Sequence, residues 1–133
     1  MRTAEFEVDT RGRLVTDITD EVERVAADGA DGLLQVFLPH ATAGLALMEA
    51  GSGSEGDLQE VVERVWPRDD RYSHRHGSVG HGGDHLLPTF ISPSLVLAVE
   101  DGRVVLGTWQ RIVIVDPNRE NNRRRVRLSL LEG

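Results

Sequence analysis

Residues 94–116 read SLVLAVEDGRVVLGTWQRIVIVD, and they carry the strongest strand signals in the chain. This stretch has apolar runs on both sides of Asp101-Gly102, a dipeptide that favours a β-hairpin because the type I′ turn needs positive φ at both central positions. A further apolar run follows, and one more lies beyond a polar connection. The last third of the chain is therefore predicted to be a β-meander. Its predicted strands are Leu95–Val99, Val104–Leu106, Trp109–Val115 and Val126–Leu131.

The amino-terminal part of the chain carries both strand and helix signals. Apolar residues alternate over 4–8, and a Gly-containing turn at 11–13 leads into a second short apolar run, which predicts an opening hairpin. Apolar residues then recur at helical spacing, with Asp17 or Thr19 as the N-cap and Gly29 as the stop signal. An amphipathic helix is predicted there.

The middle of the chain predicts two more strands, a helix and a loop. The strands are Leu33–Leu38 and Leu45–Met48. Ser54-Glu55-Gly56-Asp57 matches a capping box, and the apolar spacing that follows predicts a helix that Pro67 ends. Residues 68–83 are rich in Gly and poor in apolar residues, which predicts a long exposed loop, and a short helical piece is expected over 86–91.

Together these elements predict one α+β domain covering residues 1–133. The length suits a single domain with one core. We expect a β-sandwich-like architecture of mixed sheets, with roughly six or seven strands and two or three helices packed to one side.

Composition excludes several functional classes. The chain has no Cys, so disulfides, thiolate metal sites and cysteine nucleophiles are excluded, and any metal must bind His, Asp or Glu. A net charge of −7 argues against a nucleic-acid binder. No apolar run approaches the ~20 residues of a membrane-spanning helix, and the first residues lack the apolar segment of a signal peptide. We therefore expect a cytoplasmic protein that binds neither nucleic acid nor membrane.

Four of the five His residues lie in or beside the glycine-rich segment, at positions 74, 76, 81 and 85. His74 and His76 would share a face of an extended segment, and His81 and His85 a face of a helical turn. Either pair could therefore bind a divalent metal with help from a carboxylate. A solvated polar loop that merely tolerates His is the alternative, since no known zinc-binding motif is present.

His40 is the remaining histidine and follows a predicted buried strand, where functional loops are often found. Glu49, after the next strand, is the nearest acid. A capping or surface role for His40 stays open, because no orienting partner lies beside it in sequence.

Two features of the last third could bind a ligand. Arg123, Arg125 and Arg127 share one face of the final strand, where they could bind a diphosphate or could block edge-to-edge pairing of sheets. Trp109 begins a strand after Gly107, and core packing of its ring is the alternative to a binding role.

A set of short motifs runs through nearly the whole chain in a recognisable order. They are His40-Ala41-Thr42-Ala43, Glu49, Tyr72-x-His74, His85-Leu86, Ser94-Leu-x-Leu-x-Val, Asp101-Gly102-Arg103 and Leu106-Gly107-Thr108-Trp109-Gln110-x-Ile112. This order resembles the YjbQ-like family, also called the secondary thiamine-phosphate synthase family.

The resemblance implies an α+β fold around a β-sandwich, a homotrimer with polar sites near subunit interfaces, and synthesis of thiamine phosphate from an aminopyrimidine diphosphate and a thiazole phosphate. The functional positions it implies are His40, Thr42, Glu49, His74, His85, Trp109 and Gln110. The chain departs from the family pattern around Glu49, where flanking amides are absent, and at Arg75, where an acid is common. Those departures argue against magnesium at that spot.

Three functional hypotheses follow. In a transferase, His40, Glu49 and His85 would be catalytic, and Arg123 and Arg125 would join Thr42, His74, Trp109 and Gln110 in binding substrate. Alternatively, a divalent metal, Zn or Mg, would bind His40, His74 and His85 in a trimer that acts on another small phosphorylated metabolite, by hydrolysis for example. The third hypothesis is a binding protein without turnover.

Overall fold

The computed structural model describes residues 1–27 and 31–133, and that part of the chain forms strands and short helices. The strands are β1 (Arg2–Asp9), β2 (Val15–Asp17), β3 (Gly32–Phe37), β4 (Gly44–Met48), β5 (Ser94–Glu100), β6 (Arg103–Val104), β7 (Arg111–Val115) and β8 (Arg123–Glu132). The helices are α1 (Thr19–Ala26), α2 (Ser54–Val65), α3 (His81–Asp84) and α4 (Leu87–Phe90). The predicted α+β class is confirmed. No helix within the described residues is both long enough and apolar enough to span a membrane.

The larger sheet has the strand order β1-β8-β3-β5-β6. Its long strand β8 pairs with β1 on one side and with β3 on the other. Side chains of β8 alternate between a buried and an exposed face, as the period of a strand requires. Val126, Leu128 and Leu130 point into the main core, and the odd-numbered arginines 123–127 point outward.

The smaller sheet has the order β2-β7-β4, and its central strand β7 is buried on both faces. Ile112 and Ile114 belong to the main core, while Val113 and Val115 belong to a second core on the other side of the strand. Burial of both faces explains why residues 112–115 are continuously apolar. Mixed sheets were expected, but among the described strands every pairing is antiparallel.

The two longer helices cover the two cores. Helix α1 places Val22 and Ala26 in the main core, and α2 places Val62 in the second core. Both helices are thus amphipathic, as their apolar spacing predicted.

The predicted opening hairpin is wrong. Its turn is present, since the Arg13 amide donates to the Thr10 carbonyl at 2.9 Å and Arg11 and Gly12 have φ of 55° and 72°. However, β1 pairs with β8 and β2 pairs with β7, which belong to different sheets. The turn therefore carries the chain from one sheet to the other.

The helix caps also differ from the sequence prediction. Ser54 is the first residue of α2, and the left-handed Gly53 (φ 99°) precedes it without a side-chain cap. The Glu55 carboxylate instead accepts the Gly51 amide at 2.7 Å. At α1, Asp17 accepts the Thr19 amide at 2.9 Å, and the predicted stop at Gly29 lies outside the described residues.

Arg124 is the exception on the inward face of β8, because it is a charged residue with only 1% of its surface exposed. Its guanidinium donates to both carboxylate oxygens of Asp116, at 2.8 and 2.7 Å. Asp116 also accepts the Thr10 hydroxyl at 2.7 Å and the Asn118 amide at 3.0 Å. A buried ion pair thus joins the larger sheet to the end of β7.

We expect Asp116→Ala to lower the free energy of unfolding by about 3–5 kcal/mol, because it leaves the Arg124 charge buried without its partner. Urea denaturation measures this effect. The matched control is Glu5→Ala, which removes exposed ion pairs with Arg125 and Arg127 at 3.9 and 3.4 Å and should cost less than about 1 kcal/mol. Equal losses in the two variants would contradict the role of the buried pair.

Candidate metal centre

Four histidine side chains meet beside α3. His74, His76, His81 and His85 each offer a ring nitrogen, and these four atoms all lie within 4.8 Å of one another. The ring centroids of His74 and His76 are 3.9 Å apart, and those of His74 and His85 are 4.3 Å apart. The sequence predicted that either pair might bind a metal, and the structure brings both pairs together. We call these four residues the histidine cluster.

Local backbone geometry explains why two chain segments converge. His81 and His85 are separated by one helical turn of α3, and their Nε2 atoms are 3.0 Å apart. The segment 72–74 packs directly on this turn at Gly82, where an added Cβ would lie 2.5 Å from the Tyr72 side chain and 2.7 Å from the His74 carbonyl. Glycine at position 82 therefore permits the close approach.

The surroundings of the cluster affect the pKa of one of its rings, that of His85. Burial lowers the pKa of His85, and the neighbouring rings of His74, His81 and His76 lower it further. The Nδ1 atom of His74 is buried and has no hydrogen-bond partner among residues 1–27 and 31–133. An unpaired buried nitrogen is costly for a protein to retain, so it points to a partner that the protein chain itself does not supply.

A carboxylate stands behind the cluster. The Oε1 atom of Glu120 is 3.2 Å from Nδ1 of His81, and Glu120 is held by the Ser78 amide and hydroxyl, both at 2.6 Å. The two bonds from Ser78 lower the pKa of Glu120. A carboxylate at one ring nitrogen orients the imidazole and leaves the other nitrogen available as a metal ligand.

A second polar group holds α3 in place. Asp84 accepts two hydrogen bonds from Arg68 at 2.8 and 2.9 Å and one from Asn118 at 3.2 Å. Burial raises the pKa of Asp84, and the bonds from Arg68 oppose that rise. Asn118 also approaches Nδ1 of His81 at 3.5 Å, so the same residues support the helix and the cluster.

His40 lies in a different set of contacts. Its Nε2 accepts the Arg125 amide at 2.8 Å, and burial, together with the charge of nearby Arg124, lowers the pKa of the ring. Thr42 accepts a hydrogen bond from Arg124 at 3.0 Å. His40 and Thr42 therefore border the buried Arg124–Asp116 pair, and within the described chain no hydrogen bond or ring contact joins His40 to the cluster.

The remaining predicted site residues are on the surface. Glu49 is exposed after β4. Trp109 is 72% exposed, so its ring is not in the core. It lies on a tight turn in which the Gln110 side-chain oxygen accepts the Gly107 amide at 2.8 Å. Strand β7 consequently starts after this turn rather than at Trp109.

The exposed Arg123 and Arg125 lie opposite acidic residues of β1. In the strand register, Arg123 pairs with Asp9 and Arg125 with Glu7. Cross-strand charge pairing thus accounts for part of the arginine row.

Sequence reasoning missed several residues that build the site. They are Arg68, Asp84, Asp116, Asn118, Glu120 and Arg124. One signal was available, because Arg124 occupies the inward alternation of Val126, Leu128 and Leu130 and a charge there requires a partner. Glu120 gave no comparable signal, since its role depends on a contact with residue 78 across the fold.

A family model and several known proteins match this chain over most of its length. A family model described as "UPF0047 protein YjbQ-like" matches residues 4–133. The UPF0047 protein Rv2556c of Mycobacterium tuberculosis is 53% identical over 133 residues, covering 100% of both chains. A UPF0047 protein of Archaeoglobus fulgidus is 37% identical, over 83% of this chain and 86% of its own length.

Solved structures share the fold. The hypothetical protein APE1520 of Aeropyrum pernix superimposes with a TM-score of 0.90 at 35% identity, covering 100% of both chains. TT1486 of Thermus thermophilus superimposes with a TM-score of 0.85 at 30% identity, over 96% of this chain and 99% of that one.

Fold and site together define a small α+β protein of two antiparallel sheets with a histidine cluster at the surface of the second core. The chain belongs to the YjbQ-like UPF0047 family, which confirms the resemblance seen in its sequence.

Proposed function

We propose that the protein binds a transition-metal ion such as Zn²⁺ at the histidine cluster and acts there on a small phosphorylated metabolite. The observation that carries the proposal is the convergence of four histidine nitrogens within 4.8 Å of one another. One of these rings, that of His74, has a buried nitrogen without a hydrogen-bond partner in the described part of the chain. The ligand set differs from the predicted one, since it adds His76 and His81 to His74 and His85 and leaves out His40.

The donor atoms favour zinc over magnesium. Imidazole nitrogen suits Zn²⁺, Cu²⁺ and Ni²⁺, whereas Mg²⁺ prefers oxygen ligands and retains its water. The nearby carboxylate of Glu120 faces His81 from behind, which is the usual position of a group that orients a metal ligand.

A bound Zn²⁺ would polarise a phosphoryl oxygen and lower the pKa of a water molecule. This chemistry supports hydrolysis or transfer of a phosphate-bearing substrate. The surroundings lower the pKa of His85, so this ring stays unprotonated to lower pH than a free histidine and remains available as a ligand.

Metal binding is expected to depend on the cluster and not on His40. Zn²⁺ at 100 times its Kd should stabilise the wild-type protein by about 2.7 kcal/mol against unfolding. His74→Ala should lose that stabilisation, and His40→Ala should retain it. The affinity should fall as pH drops below ~6, because protons then compete for the imidazole nitrogens.

Competition with a chromogenic chelator and thermal unfolding with and without Zn²⁺ measure these effects. Zinc stabilisation of equal size in the wild type and His74→Ala would refute the proposed centre.

The second candidate is the thiamine-phosphate synthase-type transfer that the family resemblance implies. The observation that favours it is the 72% exposure of Trp109 on the tight turn before β7. An indole face in that position can stack on an aminopyrimidine and stabilise the cation that forms when diphosphate leaves. The thiazole nitrogen then forms a bond to the cationic carbon from which diphosphate has left, which gives thiamine phosphate and free diphosphate.

Trp109→Ala should lower the rate of thiamine phosphate formation about tenfold, which corresponds to about 1.4 kcal/mol of lost cation–π stabilisation. Val65→Ala is the control, because Val65 is also a large exposed apolar residue, at 54%, and it lies on α2 rather than on the turn of Trp109. The assay supplies both the aminopyrimidine diphosphate and the thiazole phosphate. Equal rates in wild type and Trp109→Ala would exclude the stacking role.

We further infer that the protein is a cytoplasmic homotrimer. The outer face of the larger sheet supports this inference, since Leu33 pairs in register with Leu131 and both are at least half exposed, at 50% and 57%. Val96 adds a 61% exposed side chain on the neighbouring strand β5. Exposed apolar side chains gathered on one face of a sheet are typical of a protein interface. Because His40 and Glu49 do not contact the cluster within one chain, their proposed catalytic roles depend on this assembly.

Leu131→Glu should convert the trimer to monomers, because it places a charge in the apolar patch. Val61→Glu is the control, since Val61 is 50% exposed on α2, away from this sheet. Light scattering at micromolar concentration should give three times the chain mass for wild type and control. A monomeric wild-type protein would rule out the assembly.

A further inference from the structure

A cavity of about 760 Å³ lies between α2, the turn before β2 and the segment that follows β7. This volume falls within the range of roughly 300–1,000 Å³ that is typical of small-molecule sites. The histidine cluster does not line the cavity, but Gly83 and Asp84 of α3 do. The cavity and the cluster are therefore neighbours on either side of α3.

The floor of the cavity is apolar. Val62, Trp66 and Leu87 line it, and the same three residues belong to the second core. Trp66 is half-buried, so part of its ring system remains accessible. This floor suits the flat face of an aromatic or heteroaromatic ring.

The acidic and the basic residues around the cavity come from different elements of the fold. Helix α2 contributes Glu55 and Glu63, which are two helical turns apart on one face. Arg13 comes from the turn before β2, and Arg119 comes from the segment after β7. Neither arginine forms an ion pair within the described part of the chain.

The other charges around the cavity are already neutralised. Asp84 is paired with Arg68 at 2.8 Å, and Asp116 is paired with Arg124 at 2.7 Å. The charges left for a ligand are thus acids on the helix and arginines on the loops. Such a cavity is suited to a ligand that carries both an amine and an anion.

We propose that this cavity binds a small ligand with a heteroaromatic ring, an amino group that faces Glu63, and a phosphate that faces Arg13 and Arg119. The inference goes beyond the proposed function, because it assigns a second binding site that the histidine cluster does not line. The connection between the two sites is short, since Asn118 contacts both Asp84, at 3.2 Å, and His81, at 3.5 Å.

Gly56 gives a direct test of this site. It lines the cavity from α2, and a Cβ added there would meet no atom within 4 Å. Gly56→Leu should therefore fill cavity space without straining the helix, and replacing a helical glycine should not lower the melting temperature. Asp57→Leu is the matched control, because Asp57 is the next residue of α2 and does not line the cavity.

The probe is thiamine phosphate, which carries an aminopyrimidine and a phosphate, and binding is measured by calorimetry on protein freed of metal by a chelator. Gly56→Leu should weaken binding at least tenfold, and Asp57→Leu should bind like the wild type. The double variant Arg13→Ala, Arg119→Ala should reduce the preference for thiamine phosphate over thiamine at least tenfold, whereas Arg103→Ala should not.

Wild-type protein that fails to bind the probe at millimolar concentration, or Gly56→Leu protein that binds it as tightly as wild type, would overturn the inference. Thiamine that binds as tightly as thiamine phosphate would overturn the phosphate end of the site. Zinc binding by the same variants is measured separately. Retained zinc binding with no probe binding would refute the cavity alone, and the reverse result would refute the metal centre alone.

Discussion

The buried ion pair between Arg124 and Asp116 is the interaction on which the rest of the structure depends. It joins strand β8 of the larger sheet to the end of β7, the central strand of the smaller sheet, with both side chains almost wholly removed from solvent. Buried charged groups need hydrogen-bond partners in addition to the opposite charge, and Thr10, Thr42 and Asn118 supply them here. The position of Asn118, and through it of α3 and the histidine cluster, follows from this pair.

Much of the fold could be predicted from local sequence patterns. The Asp101-Gly102 hairpin, the apolar run of β7 and the amphipathic spacing of α2 each depend on residues close together in the chain. Partner choice between strands is a tertiary property, and so the opening hairpin was predicted wrongly although its turn was identified correctly. Turn chemistry fixes a change of direction, and the packing of the whole molecule decides which sheet the next strand enters.

The candidate site shows the same difference between local features, which the sequence predicted, and tertiary contacts, which it did not. The spacing of His74 with His76, and of His81 with His85, indicated two pairs that each face one way, and local geometry was enough for that. Their convergence required a close approach at Gly82, and the support from Glu120 required a contact between distant segments. His40 shows the opposite case, because its place after a buried strand indicated a functional loop, and its Nε2 is engaged by the backbone of β8.

The pairing of β1 with β8 has a consequence for how the protein is made. Arg2 lies opposite Leu130 and Asp9 opposite Arg123, so β1 leaves the ribosome well before its partner and stays unpaired until residues 123–130 have also emerged. Ordering such distant segments carries a large loop-closure entropy, which slows folding. The acidic side chains of β1 at positions 5, 7 and 9 keep the strand soluble while it is unpaired. They also discourage its pairing with a wrong strand during synthesis.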